Sequence, residues 1–235
     1  MEYLIKDLAL PELLAASRYT IYLTALSMPL ALIVGLILAL MRMSRHRWLS
    51  WPAAIYIEAV RGTPLIVQVF LVYFSLPVVG RWLNTDFFTL EKFTVGVICL
   101  AGNYAAYEAE IHRAGLQAID KGQREAALSI GLSDAQAFRF VVLPQAFRIV
   151  VPPVINDLIA MLKDSSIVSV IGLEDLLNEA QSIGRSHFTV PRMLVMAAVI
   201  YLILSLICFA FGRWVEKKLK VRGGPELHID NVHGH

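Results

Sequence analysis

Charge is what this sequence has least of. Only 17% of its 235 residues are Asp, Glu, Lys or Arg and 57% are apolar, against roughly 25% and 45–50% in an ordinary soluble domain. That balance excludes a soluble globular domain. Cysteine is nearly absent: Cys99 and Cys208 each lie in an apolar run with no second Cys or His at ligand spacing, so they read as small buried hydrophobes without a redox or metal role. No G-x-x-x-x-G-K-S/T stretch occurs, which leaves the chain without a phosphate-cradling loop of its own. No G-x-S-x-G or H-E-x-x-H occurs either, and the six His are scattered, so no catalytic constellation is expected. There is no internal repeat and no low-complexity segment, and the net charge of +2 gives no footprint for nucleic acid.

What the sequence does have is long uncharged runs. Tyr19 to Met41, Gly62 to Gly80 and Met193 to Gly212 carry no charge over 23, 19 and 20 residues, each close to the ~20 needed to cross a hydrocarbon core. Two weaker candidates are Phe93 to Tyr107, uncharged for 15 residues, and Ile149 to Leu162, interrupted by Asp157. Basic residues arbitrate, because short cytoplasmic loops collect Lys and Arg. Of 21 basic residues, 13 fall in three segments: Arg42 to Arg47, Arg113 to Arg148, and Arg213 to Arg222. All three can be cytoplasmic only with five spans, the N-terminus outside and the C-terminus inside. The early Lys and long first run give a retained span and not a cleaved signal.

The expected fold is therefore all-α and polytopic. Residues 7–18 form a short outer interfacial helix leading into span one at about 19–42. Trp48 and Trp51 mark re-entry through the aromatic belt, and span two runs to about Leu76 and Pro77. Residues 80–90 are an outer loop, span three is about 91–112, span four about 148–164, and span five about 191–213, with an outer re-entrant stretch at 165–190. The transmembrane domain is expected over 1–222. The tail 223–235 reads as disordered; its His228, His233 and His235 are not assigned a metal.

Between spans three and four lies a polar, well-punctuated stretch, EAALSIGLSDAQAFRFVVLPQA at 125–146. Arg124 to Ile130 favours helix, Gly131 can take the left-handed turn that ends it, and Ser133 with Gln136 makes a capping-box start for a second helix. Pro144 is expected to stop that second helix. Two short helices joined by a Gly turn would form a docking surface, with Ala126, Ala127 and Gly131 allowing close backbone approach and Phe138 and Phe140 as apolar anchors. An amphipathic loop on the inner leaflet is the other reading these residues allow.

The spacing EAA, three residues, Gly131, nine residues, Val141, one residue, Leu143 and Pro144 resembles the EAA signature of permease subunits of bacterial ABC importers. Val141 stands where Ile is usual. EAVRGTPLIVQVF at 58–70, NYAAYEAEIHRAGLQAIDKGQREAA at 103–127 and LKDSSIVSVIGLEDL at 162–176 resemble the polar amino acid branch, and the likeness extends over about residues 13–215. It implies the type I ABC importer transmembrane fold, with coupling helices at about 122–143. Glu125, Ala126, Ala127, Gly131, Leu143 and Pro144 would contact an ATPase subunit. It also implies two ATPase subunits carrying ATP and Mg, no cofactor on this chain, and a second permease chain, identical or homologous. An extracellular or periplasmic solute-binding protein and a place in the bacterial inner membrane complete what it implies.

Charged residues inside a bilayer are costly and usually face a polar cavity or a partner. Lys163, some 15 residues into span four, would lie roughly 22 Å from its cytoplasmic start, followed at once by Asp164, Ser165 and Ser166. Pro152 and Pro153 disturb the helix below and Gly172 permits a break above. Such a broken helix suits a zwitterion, Lys163 for the α-carboxylate and Asp164 for the α-ammonium; a structural ion pair at the membrane edge is the alternative. The resemblance implies the site reading, since amino acid contacts lie in this region in relatives. Glu58 could select a cationic or polar side chain or neutralise Arg61 at i+3. Asn103, Tyr107 and Glu110 could line the same cavity, with core packing the simpler role for Tyr107, and Asp157 is either a packing hydrogen-bonder or a cavity residue. An intramembrane enzyme using Asp157 and Asp164, or a secondary transporter, would be the competing functions; five spans without an inverted repeat argue against the latter.

Overall fold

The computed structural model describes residues 9–85 and 90–219; the expected tail 223–235 lies outside them. Within the described residues the chain is helical with no strand. The helices are α1 (Leu10–Arg42), α2 (Arg47–Arg61), α3 (Leu65–Trp82), α4 (Lys92–Gln117), α5 (Lys121–Ser129), α6 (Asp134–Ala137), α7 (Leu143–Asp164), α8 (Leu176–Ser186) and α9 (Val190–Leu219). Among the described residues four helical stretches are long and apolar enough to cross a membrane: α1, α3, the continuous run Asp134–Ile171, and α9.

These helices are built for lipid rather than water. On α1 the buried stripe is Ser17, Thr20, Thr24, Ser27, Ala31, Gly35 and Ala39 with Leu13 and Leu23, whereas Leu26, Ile33, Ile37 and Leu40 point outward. Small and hydroxyl side chains inside and large apolar ones outside is the pattern of membrane helices, whose association depends on close packing. Trp48 and Trp51 are exposed, as a membrane-interface pair would be.

α4 is the centre of the bundle, packed on α1, α2, α3 and α7. A Cβ built on Gly35 would lie 2.6 Å from Glu108 Cβ and 3.0 Å from the Ala105 carbonyl, and one on Gly96 would lie 3.0 Å from Leu23. Twelve residues along α1 thus match twelve along α4, so the two run parallel. Tyr104 reaches Asp164 and Gly115 meets Val150, which makes α7 antiparallel to α4. Tyr201 reaches Asp175 while Gly212 meets Ile155, so α9 runs antiparallel to α7 and parallel to α1 and α4.

Four expectations are corrected here. Residues 10–42 form one helix, with Pro11 in the first turn where its missing N–H costs nothing, so no separate interfacial helix precedes span one within the described residues. Span two is broken: α2 ends at Arg61, Gly62 and Thr63 turn, and Pro64 caps α3. Pro144 does not stop a helix. Phe138–Val142 widen into a π-turn in which the Leu143 N–H donates to the Phe138 carbonyl, and Pro144 enters the first turn of α7. Pro152 and Pro153 likewise leave α7 unbroken to Asp164.

Candidate functional site

α7 tightens at its end. Ser165–Ile171 form a 3-10 segment that Gly172 closes at φ +75°, the left-handed region that glycine enters without a Cβ penalty. The expected break is therefore real, and it carries Lys163, Asp164, Ser165 and Ser166 together. Lys163 is exposed and, among the described residues, makes no ion pair. Asp164 accepts a hydrogen bond from Tyr104 Oη at 2.8 Å, so the structural ion pair between Lys163 and Asp164 is not formed. Ser165 is buried and donates to the Leu162 carbonyl at 2.8 Å, which ties its hydroxyl to the helix turn; Ser166 is half-buried.

A second polar group sits where α2 breaks into α3. Gln68 Nε2 donates to the Val60 carbonyl at 2.9 Å and to Thr63 Oγ1 at 2.9 Å, and Gln68 Oε1 accepts from Asn103 Nδ2 at 3.1 Å. One amide therefore satisfies the backbone opened by the Gly62–Pro64 turn and clamps it to α4. Asn103 is buried in that clamp. Arg61 does not pair with Glu58; its guanidinium lies over the Tyr107 ring, 5.4 Å from the centroid, a cation–π contact. Glu58 is exposed and unpaired among the described residues. Glu110 is engaged by Arg113, which also donates to Gln117 Oε1, so it is not a free cavity group.

The connection between α4 and α7 has the local geometry its sequence announces. Asp120 caps α5 through the Gly122 N–H, Gly131 has φ +90°, and Ser133 and Gln136 complete the capping box of α6. Arg124 pairs with Asp134 at 2.7 Å across the turn, and Gln145 reaches Gln123 at 3.3 Å. Glu125, Ala126, Gly131, Leu143 and Pro144 are exposed, with Ile130 at 80% and Phe140 at 63%. Ala127 is turned inward at 3%, so it packs the element instead of lining its outer surface.

Tyr104 and Gln68 are the candidate-site residues that sequence reasoning does not single out. Tyr104 lies one residue from Asn103, and Gln68 is the one polar side chain in the run Leu65–Tyr73. A polar residue in an apolar span was the available signal. Two open grooves of about 410 Å³ and 270 Å³ run between α7 and α9, lined by Leu143, Pro144, Phe147, Arg148 and Leu219, and by Ile155, Asn156, Phe209, Arg213 and Glu216; neither is lined by Lys163 or Asp164. No group of three or more His, Cys, Asp or Glu able to hold a metal ion occurs among the described residues.

Residues 31–221 match the family model described as binding-protein-dependent transport system inner membrane component. The arginine transport system permease protein ArtQ of Bacillus subtilis (strain 168) is 39% identical over 212 residues, 90% of this chain and 94% of that protein. The probable amino-acid ABC transporter permease protein y4tG of Sinorhizobium fredii (strain NBRC 101917 / NGR234) is 39% identical over 216 residues, 92% of this chain and 90% of that protein. Among solved structures, a crystal structure of an amino acid ABC transporter with histidines superposes with a TM-score of 0.81 at 39% identity, covering 88% of this chain and 94% of that one. A bundle with four helices able to cross a bilayer and this extent of shared sequence have one reading: the chain is a multi-pass membrane protein of the binding-protein-dependent transport system inner membrane component family, among the amino-acid ABC transporter permeases.

Proposed function

We propose that this chain is the membrane-spanning subunit of an ATP-driven importer that passes a polar amino acid, delivered by an external binding protein, across the bacterial inner membrane. Its relatives are transport permeases and not enzymes, and the ATP is hydrolysed on a partner. Five crossings are formed by α1, the broken pair α2–α3, α4, α7 and α9, with the N-terminus outside. α4 counts as a crossing although its Glu108 and Glu110 lower its hydropathy, because a helix surrounded by others need not be apolar all round. α5, α6 and the π-turn after them are the element on which the ATPase subunit docks, through Glu125, Ala126, Gly131, Leu143 and Pro144. Five spans do not enclose a gated path alone, so a second permease chain and two ATPase subunits complete the assembly.

The observation that carries the amino acid reading is the pair of neighbouring opposite charges at the helix break that are not spent on each other. Lys163 has no partner among the described residues, and Asp164 keeps one carboxylate oxygen beyond the Tyr104 bond. An ammonium and a carboxylate so arranged fit the α-carboxylate and α-ammonium of a zwitterion. Removing one partner of a desolvated charge pair typically costs ~2–5 kcal/mol, so Lys163→Met and Asp164→Asn should each weaken substrate affinity at least ~30-fold, 1.4 kcal/mol being a factor of ten. The assay is substrate-stimulated ATP hydrolysis by the reconstituted importer, with thermal stability measured alongside. Activity lost in both single variants and in the double, with folding retained, supports the site. Recovery of activity in the double variant would show that the two residues serve each other and not a substrate.

A further inference from the structure

Glu108 is fully buried, and neither of its carboxylate oxygens has a hydrogen-bond partner. The Asp157 Oδ2 atom is also buried without a partner. The two sit opposite each other by helix register. Gly115 and Val150 touch where α4 and α7 cross; seven residues back along α4 is Glu108 and seven on along α7 is Asp157, two turns along each of two antiparallel helices. Gly35 closes the third side, so close that Glu108 Cβ lies 2.6 Å from where a Cβ on that glycine would stand.

Among the described residues no cation pairs with either carboxylate. Arg113 pairs with Glu110 instead, and Arg61 lies over the Tyr107 ring. Other titratable groups lie around the crossing. On α4, the Tyr104 hydroxyl is spent on Asp164 and half-buried His112 leaves its Nε2 unpartnered. On α2, the Tyr56 hydroxyl donates to the Gly102 carbonyl at 2.8 Å. α1 presents the Gly35 backbone and no charge at this level. Two ionised carboxylates at such a crossing would repel in a low dielectric; carboxylates that share a site keep a proton between them.

We propose that Glu108 and Asp157 form an intramembrane binding site for a single proton, which joins α4 to α7 through a carboxylic acid to carboxylate hydrogen bond. Proton transfer is the whole chemistry: water supplies the proton on binding and hydroxide removes it, and no other bond changes. Because the folded state binds a proton that free carboxyl groups release at ordinary acidic pH, the stability of the α4–α7 contact falls as pH rises. That contact also carries Tyr104 and Asp164, so release of the proton loosens the helix pair at whose far end the proposed substrate group lies.

The test uses the permease with its ATPase subunit in lipid nanodiscs. Thermal stability is measured from weakly acidic to strongly alkaline pH for the wild type, Glu108→Gln, Asp157→Asn and His112→Gln. The proposal expects the alkaline loss seen in the wild type and in His112→Gln to be reduced in both carboxyl variants. Infrared difference spectroscopy of the wild type should show the carbonyl stretch of a buried carboxylic acid at neutral pH, absent in Glu108→Gln; this reading stands even where a variant does not fold. The absence of that band in the wild type overturns the proposal. So does an alkaline loss that vanishes only in His112→Gln, or one that sodium ions reverse, which would make the ligand a metal cation.

Discussion

Asp175 shows how much one buried side chain can impose on its surroundings. It is fully buried after the Gly172 turn, caps α8 by accepting from the Asn178 N–H at 3.0 Å, and receives the Tyr201 hydroxyl at 3.4 Å. Burial pushes its carboxyl up to about 6, against the pull of those hydrogen bonds. A group whose folded value exceeds its unfolded value of ~3.9 holds its proton better in the folded state, so its contribution is fully present below that unfolded value and is lost as pH rises through about 6. Asp175→Asn keeps an oxygen for the cap and removes the charge. The melting temperature of the variant minus that of the wild type should therefore increase between about pH 4 and about pH 7; a difference that is flat or falls would contradict it. The same limit explains what was illegible at this scale. The sequence places Lys163, Asp164 and Asn103 in apolar surroundings, but which side chain meets them depends on the facing helix. Tyr104 and Gln68 were overlooked for that reason, and the Lys163–Asp164 and Glu58–Arg61 pairs, natural by sequence neighbourhood, are replaced by Tyr104 on Asp164 and Tyr107 under Arg61.

At the scale of elements, local chemistry was readable where it is strictly local. A capping box and a left-handed glycine each need only the residues within one turn, and the structure has both. Prolines were harder, because their effect depends on whether the surrounding turn can absorb a missing N–H. The π-turn at Phe138–Val142 does so for Pro144, and Gln68 does so for the break at Pro64. Gly131 offers a clean test of the element. A Cβ there would meet nothing within 4 Å, so a substitution is resisted by backbone torsion alone. Gly131→Val should cost about 1–2 kcal/mol in the left-handed conformation and misalign α5 against α6, while Gly131→Asn, which tolerates that conformation, should be mild. Copurification of the ATPase subunit should fall for Val and persist for Asn with membrane insertion unchanged in both; equal copurification would separate the turn from docking.

For the whole molecule, the direction of each helix joins charge to topology. α1, α4 and α9 run parallel and α7 opposes them, so the α1–α2 turn, the segment from α5 to the π-turn, and the end of α9 lie at one end of the bundle. Those are the segments that carry Arg42, Arg45 and Arg47, Arg124 and Arg139, and Arg213, Lys217 and Lys218. Composition foretold this clustering because lysine and arginine follow the side of the membrane. It did not foretell that α4 would be the hub, since a helix enclosed by others escapes the apolar requirement that hydropathy measures. Labelling with a membrane-impermeant thiol reagent makes the prediction concrete. In a background with Cys99 and Cys208 replaced by Ala, single cysteines at half-buried Ser44 and exposed Ser133 should react only from the cytoplasmic face. A cysteine at exposed His187, between α8 and α9, should react only from the outside. Reaction of Ser44 and Ser133 on opposite faces would break the parallel arrangement of α1 and α4. Reaction of His187 on the same face as Ser133 would mean that α7 does not cross, leaving Lys163 and Asp164 on the side from which no binding protein could deliver a substrate.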